Sequence, residues 1–251
     1  MRLLFIGDIV GDGGLDFVCN NLSKIMNENK IDFVIANGEN VSEGNGINKD
    51  SAEKLRYAGV DVITTGNHAF RRKSSYVLME ESDFLLRPYN CPSRAIGKGV
   101  TELNTSHGKV GVVNLSGQLY MDGYNNPFDV VEKIISSLSH CDFIFVDFHA
   151  EATSEKRAMG FFLDGKVTGI FGTHTHVQTS DEQILPNGTA YITDVGMTGG
   201  KNSILGVKKE TVINKFLTGM PGYFEQDNTD ILFNSVVFDS ITKEIYRLNI
   251  N

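Results

Sequence analysis

Eight side chains able to bind metal or move protons occupy one kind of place along this chain. Asp8, Glu39 with Asn40, Asn67 with His68, His149, and His174 with His176 each stand at the end of a short apolar run. Four of the six histidines fall in these slots, alongside two carboxylates and two amides. His174-x-His176 has a local logic: in an extended segment, residues two apart point the same way, so both imidazoles can face one site. Imidazole nitrogen with carboxylate and amide oxygen suits Mn, Fe, Co or Zn. The absence of cysteine from the set argues against a structural zinc site. Even seven of the eight as ligands, with a carboxylate able to bridge, exceed the needs of one ion. They match two ions roughly 3.5–4 Å apart.

Charge then points to a substrate class. Two divalent ions bring ~4 positive charges, of which Asp8 and Glu39 cancel two. Even with a bridging hydroxide the centre stays positive by ~1, which favours an anionic phosphate. Such a centre lowers the pKa of bound water, orients it for in-line attack and holds the non-bridging oxygens as charge builds on phosphorus. Singly, each residue has a plainer reading: Asp8 as a helix cap, Asn67 as a turn residue, His149 as an interior histidine. The set as a whole favours the metal site. His107 and His140 read as solvated loop side chains.

The elements that must position these residues are short runs rich in Val, Ile and Phe. Leu3–Ile6, Asp32–Ala36, Val60–Thr65, Val110–Leu115, Phe143–Phe148 and Val167–Phe171 suit strands buried on both faces. Helical segments are predicted at Gly14–Glu28, Lys49–Tyr57, Ser74–Glu81, Phe128–Leu138 and Ser154–Leu163. The alternation implies an α/β sheet with mostly parallel neighbours. In open sheets of this kind, ligands bind beyond the carboxyl ends of the strands, where the eight residues stand. Asn187-Gly188 predicts a hairpin between Gln183–Leu185 and Ala190–Thr193. Ile231–Phe238 and Glu244–Leu248 read as a second antiparallel pair. With no repeat, low-complexity tract or linker, the expectation is one two-sheet α/β domain.

Composition restricts the function classes. The chain has 251 residues, 41% hydrophobic and 22% charged, so it can bury a sizeable core. Its net charge is -8, and its basic residues are scattered. Arg71-Arg72-Lys73 is too short a stripe to hold long nucleic acid and reads as a solvated helix start. Cys19, Cys91 and Cys141 form neither a disulfide framework nor a CxxC pair, as expected of reduced thiols in the cytoplasm. Asp8 ends the N-terminal apolar run too early for a signal peptide. No stretch approaches the ~20 apolar residues of a membrane span. Gly11-Asp12-Gly13-Gly14 lacks the lysine of a P-loop and reads as a flexible turn that could gate the site. Glu151 could orient His149 or simply begin a helix.

Gly7-Asp8, Gly38-Glu39-Asn40, Gly66-Asn67-His68, Phe148-His149-Ala150-Glu151 and Gly172-Thr173-His174-Thr175-His176 follow a known order. It resembles that of the calcineurin-like metallophosphoesterase superfamily: D-x-H, G-D-x-x-D, G-N-H-D/E, a lone H and G-H-x-H. Val10 replaces the first histidine, Glu39-Asn40 the bridging aspartate, and Ala69 the acid after G-N-H. Those departures, with GDIVG, ANGENVSEGNGI, TTGNH, RPYNCP, VDFHAEATSEK, FGTHTHVQT and YITDVGMTG, resemble the YmdB-type branch from Asp8 to about Asp230.

The resemblance implies a single αββα metallophosphoesterase domain over residues 1–251 and a phosphodiesterase acting on cyclic nucleotides, notably 2′,3′-cyclic species. It implies two divalent or mixed-valence ions, with iron or manganese usual. By the same resemblance Asp8, His176 and Asn40 would bind the first metal, and Glu39 would bridge. Asn67, His149 and His174 would complete the second site, and His68 would protonate the leaving oxygen. A small phosphorylated substrate is the expected partner, without a membrane, and a homo-oligomer is compatible with the family. Two other readings stay open: a phosphomonoesterase or protein phosphatase on the same centre, and a non-catalytic metal- or nucleotide-binding regulator.

Overall fold

The computed structural model describes residues 1–43 and 45–250; Gly44, inside the ANGENVSEGNGI stretch, and Asn251 lie outside the described residues. Each central strand sends alternate side chains to opposite faces, and both faces are apolar. In β1 (Arg2–Ile6), Leu4 and Ile6 join one buried cluster while Leu3 and Phe5 join another. β3 (Phe33–Asn37) repeats this, with Val34 and Ala36 on one side and Phe33 and Ile35 on the other. The period of two thus forces a layer on each face of the sheet.

The outer layer on this sheet is α1 (Gly11–Asn29) and α2 (Lys49–Ala58), which bury Leu15, Val18, Leu22 and Leu55 against it. Asn48 caps α2 by accepting from the Ser51 N–H at 2.8 Å. The sheet also contains β2 (Asp8–Ile9), β4 (Val62–Thr64), β11 (Met197–Gly200), β12 (Ile231–Asp239) and β13 (Glu244–Ile250). Its order is β2-β11-β12-β1-β3-β4, with β13 on the free edge of β12.

The second sheet has the order β5-β6-β7-β8-β10-β9. Its members are β5 (Val100–Thr105), β6 (Gly108–Ser116), β7 (Phe143–His149), β8 (Gly169–Thr173), β9 (Gln183–Ile184) and β10 (Ala190–Ile192). Phe145 and Phe171 face the first sheet, and Phe171 stacks on Phe5 at 4.9 Å between ring centres. Ile144, Val146, Phe148 and Ile170 face outward. There they meet α4 (Pro127–Ser137) and α5 (Thr153–Phe162). α3 (Tyr76–Glu81) buries Met79 in the same outer cluster as α1 and α2, and α6 (Lys209–Thr218) buries Val212. The result is the αββα sandwich of the metallophosphoesterase type.

Several expectations need correction. Gly11-Asp12-Gly13-Gly14 is the first turn of α1, where Gly14 packs so closely that a Cβ would lie 2.3 Å from the Thr198 carbonyl oxygen. It is no free gate. The Ser74–Glu81 helix is a 3₁₀ turn, Lys73–Ser75, followed by α3. Unforeseen elements are β2, β5, β11 and α6. At Gly7 the chain leaves β12 and passes to β11, and a Cβ there would come within 2.3 Å of the Gly196 carbonyl oxygen. That handover turns Asp8 to the end of the sandwich.

Candidate metal centre

The ends of β1, β3, β4, β7 and β8 bring all eight residues together. Asp8 opens β2, Glu39 and Asn40 follow β3, and Asn67 and His68 follow β4. His149 closes β7, and His174 and His176 follow β8. Asp8, Glu39, Asn40 and His149 are buried. Gly66 makes room for His149: a Cβ there would lie 2.0 Å from the imidazole.

Around His149 the donors crowd one point. Its Nε2 lies 3.1 Å from Glu39 Oε1, 3.0 Å from Asn67 Oδ1 and 3.0 Å from His174 Nδ1. One ring nitrogen carries one proton or one lone pair, so it cannot satisfy three such neighbours. Donors about 2.1 Å from a tetrahedral ion stand roughly 3.4 Å apart, close to this spacing. A neighbouring group joins Asp8 Oδ1 to His176 Nε2 at 3.5 Å. Asn40 Nδ2 lies 3.1 Å from that nitrogen and 3.3 Å from Glu39 Oε1.

The remote nitrogen of each of these three histidines is engaged as a donor. Thr173 gives its hydroxyl proton to Asp147 Oδ1 at 2.7 Å, so it accepts from His149 Nδ1 at 2.9 Å. His174 Nε2 donates to Glu151 Oε2 at 3.0 Å, and His176 Nδ1 to the Leu205 carbonyl at 3.0 Å. With each remote nitrogen keeping its proton, loss of the inward proton leaves a lone pair facing the cluster, the arrangement of metal-bound imidazoles. Glu151 meets His174 and not His149, because the chain bends away after β7.

Electrostatics agree with a cation-seeking cluster. Burial raises the carboxyl of Glu39, but His149 and His68 beside it hold it well below the usual range. Burial likewise opposes ionisation of Asp8, and His176 outweighs it, so its pKa falls. His149, disfavoured by burial, is pushed up to about 9 by Glu39 and Asp8. Burial and the charge of His149 bring His174 down to about 4. Two nitrogens 3.0 Å apart thus compete for one positive charge. The buried donor set fits metal ions.

His68 stands at the rim. Its Nδ1 lies 2.8 Å from Asn40 Oδ1 and 3.2 Å from Glu39 Oε1, and its Nε2 lies 3.3 Å from Asn45 Nδ2. Arg72 Nε donates to the Asn45 carbonyl at 3.0 Å and so steadies that loop.

Sequence reading missed the supports beneath these residues. Asp147, on β7, accepts from Asn37 Nδ2 at 3.1 Å and from the Thr64 hydroxyl, both on the other sheet. Burial lifts its carboxyl to about 6. An aspartate inside the apolar run FIFVDFH was the available signal. Lys156 on α5 meets Asp194 at 2.6 Å in the interior, and Asp194 accepts from the Thr175 N–H and hydroxyl at 3.0 and 2.8 Å. No spacing rule connects those two residues.

A family model described as YmdB-like protein matches residues 4–250. A 2′,3′-cyclic-nucleotide 2′-phosphodiesterase of Bacillus subtilis (strain 168) is 42% identical over 240 residues, 95% of this chain and 91% of that protein. A crystal structure of a hypothetical protein from Thermus thermophilus superposes with a TM-score of 0.94 at 39% identity, covering 100% of this chain and 99% of that one. A crystal structure of a Mycoplasma pneumoniae protein described as a novel phosphatase gives 0.92 at 36% identity, covering 100% and 93%.

Proposed function

Because the chain belongs to the YmdB-like protein family, we propose that it is a two-metal phosphodiesterase that opens 2′,3′-cyclic nucleotides to nucleoside monophosphates. The observation that carries this reading is the convergence of Glu39, Asn67 and His174 on the inward nitrogen of His149. The B. subtilis relative's activity supports the substrate class.

Asp8, His176 and Asn40 would hold one ion, Asn67, His149 and His174 the other, and Glu39 would bridge them. When bound, the ions supply a hydroxide nucleophile at neutral pH and neutralise charge on the phosphate oxygens. An amide binds metal through its oxygen, so Asn40 must present Oδ1 where Nδ2 now lies. A half-turn of the amide does this and offers Nδ2 to His68 Nδ1. The His68 proton would then reside on Nε2, which faces Asn45 Nδ2 at 3.3 Å, and would pass from there to the leaving oxygen. Iron or manganese suits this donor set. The three unpaired cysteines fit a reducing, cytoplasmic setting.

The M. pneumoniae structure described as a phosphatase favours a second reading, phosphomonoester hydrolysis on the same centre. Protein stripped of metal and reloaded with Mn²⁺ or Fe²⁺ separates the two. The assay compares 2′,3′-cyclic AMP, 3′,5′-cyclic AMP, a chromogenic bis-ester and a phosphomonoester. The expected result is metal-dependent turnover with the 2′,3′-cyclic compound fastest. A faster monoester supports the second reading, and two bound ions without turnover of any ester leaves only a regulatory binder.

A further inference from the structure

The RPYNCP stretch has no part in the metal centre, yet it builds a site of its own. Arg87 is nine-tenths buried, and no carboxylate pairs with it among the described residues. Its Nη1 donates to the carbonyls of Pro88 at 2.8 Å and Tyr89 at 3.0 Å, and its Nε to that of Ile96 at 3.4 Å. Those bonds fix the guanidinium and leave Nη2 without an acceptor among the described residues. Nη2 is nonetheless not sealed from solvent.

Arg87 lines a cavity of 560 Å³ between the 87–99 loop and α4. Tyr89, Cys91, Ser93, Lys98 and Val130 share its wall, and no acidic residue does. Lys98 shares the wall with its ammonium paired to Asp83, so Arg87 is the wall cation without a carboxylate partner among the described residues. The loop is tightly made: Arg87 N–H donates to the Lys98 carbonyl at 2.9 Å, and Tyr89 N–H to that of Asn114 at 2.7 Å. Carbonyl dipoles repay only part of the desolvation of a buried guanidinium, and an oxyanion on its free edge repays the rest. The volume lies in the range that encloses a small organic ligand.

We propose that this cavity is a binding site for the phosphoryl group of a small phosphorylated molecule, held by Arg87 and separate from the metal centre. The phosphoryl oxygens accept from Nη2, and Tyr89 and Val130 offer surface to the organic part.

Cys91 provides a local reporter, because burial pushes its thiol up to about 11 and makes labelling slow and sensitive to occupancy. Full-length protein as purified is titrated with inorganic phosphate and, separately, with adenosine 3′-monophosphate. N-ethylmaleimide labelling of Cys91, Cys19 and Cys141 is followed by peptide mass spectrometry. The expected result is saturable protection of Cys91 alone, with apparent affinity falling about tenfold or more in R87Q and in S93E. Ser93 is exposed, so S93E brings a carboxylate to the cavity without a buried substitution should R87Q fail to fold. Equal protection by phosphate means that the oxyanion suffices, and tighter nucleotide binding assigns the remaining volume to the nucleoside. No saturable protection by either ligand, or protection unchanged in both variants, overturns the proposal.

Discussion

At the scale of single residues, Glu39 is the hinge of the centre, since both donor groups meet it: Asn40 Nδ2 at 3.3 Å and His149 Nε2 at 3.1 Å. Glu39→Gln removes, at constant shape, the charge that would balance the two proposed ions. Turnover should vanish while circular dichroism stays that of the wild type; retention of most activity would remove Glu39 from the bridge. His68→Ala should lower kcat by about 10²–10⁴, the usual contribution of a general acid, with metal content unchanged. Metal analysis decides the role, because loss of an ion in that variant would make His68 a ligand. The eight strand-end residues were legible because a strand end is written in the sequence as an apolar run stopped by Gly, Asn or Asp. Their supports were not. Asp147 and Thr173 sit within strands, and the partner of Glu151 depends on a bend after His149 that brings it to His174, far along the chain.

At the scale of elements, the turn after β8 is held in an unfavourable backbone. His174 and His176 have φ of 105° and 62°, a region costing roughly 1–3 kcal/mol for each such residue. Asp194 restrains the turn through Thr175, and Lys156 neutralises Asp194. Lys156→Met leaves that carboxylate buried and unpaired, so a loss of about 3–5 kcal/mol is expected in urea unfolding. A loss below about 1 kcal/mol would mean that the threonine and backbone donors satisfy Asp194 alone. A second element-level tie joins β1 to β12, where Arg2 Nη2 meets Asp239 at 2.7 Å. Burial opposes ionisation of Asp239, but the Ile241 and Thr242 N–H groups and Arg2 outweigh it and lower its pKa. Its contribution is therefore full above the ordinary aspartate range near ~4 and lost as pH falls through the folded value. The gap in urea midpoint between wild type and Asp239→Asn should be constant from about pH 5 to 7 and close below ~4; a gap independent of pH would exclude the linkage. Central strands were readable from their unbroken Val, Ile and Phe runs. β5 was not, because its edge position leaves Glu102, Asn104 and other alternate residues outward, and β11 (MTGG) carries no periodic signal. α6 lacks a side-chain N-cap, so its start left no mark in the sequence.

At the scale of the molecule, the proposed centre lies across the seam of the sandwich. Asp8, Glu39, Asn40 and Asn67 come from the first sheet, and His149, His174 and His176 from the second. Asp147 already links the layers through Asn37 and Thr64, and at the strand ends the candidate ligands add further contacts between the sheets. Ions bound there by the folded chain alone would add RT ln(1 + [M]/Kd) to its stability, about 4 kcal/mol at a thousand times Kd. For a chain near 250 residues each kcal/mol moves Tm by roughly 2–4 °C, so chelation should lower Tm by about 8–16 °C. The same treatment of Glu39→Gln should produce a much smaller shift, because the proposed bridge between the two ions would be weakened. Differential scanning calorimetry with and without chelator measures both. A full shift retained in Glu39→Gln would place the stabilising ion elsewhere in the molecule. No shift in the wild type would mean that the two sheets need no metal to close the seam, leaving the Asp147 network and the apolar interlayer to hold it.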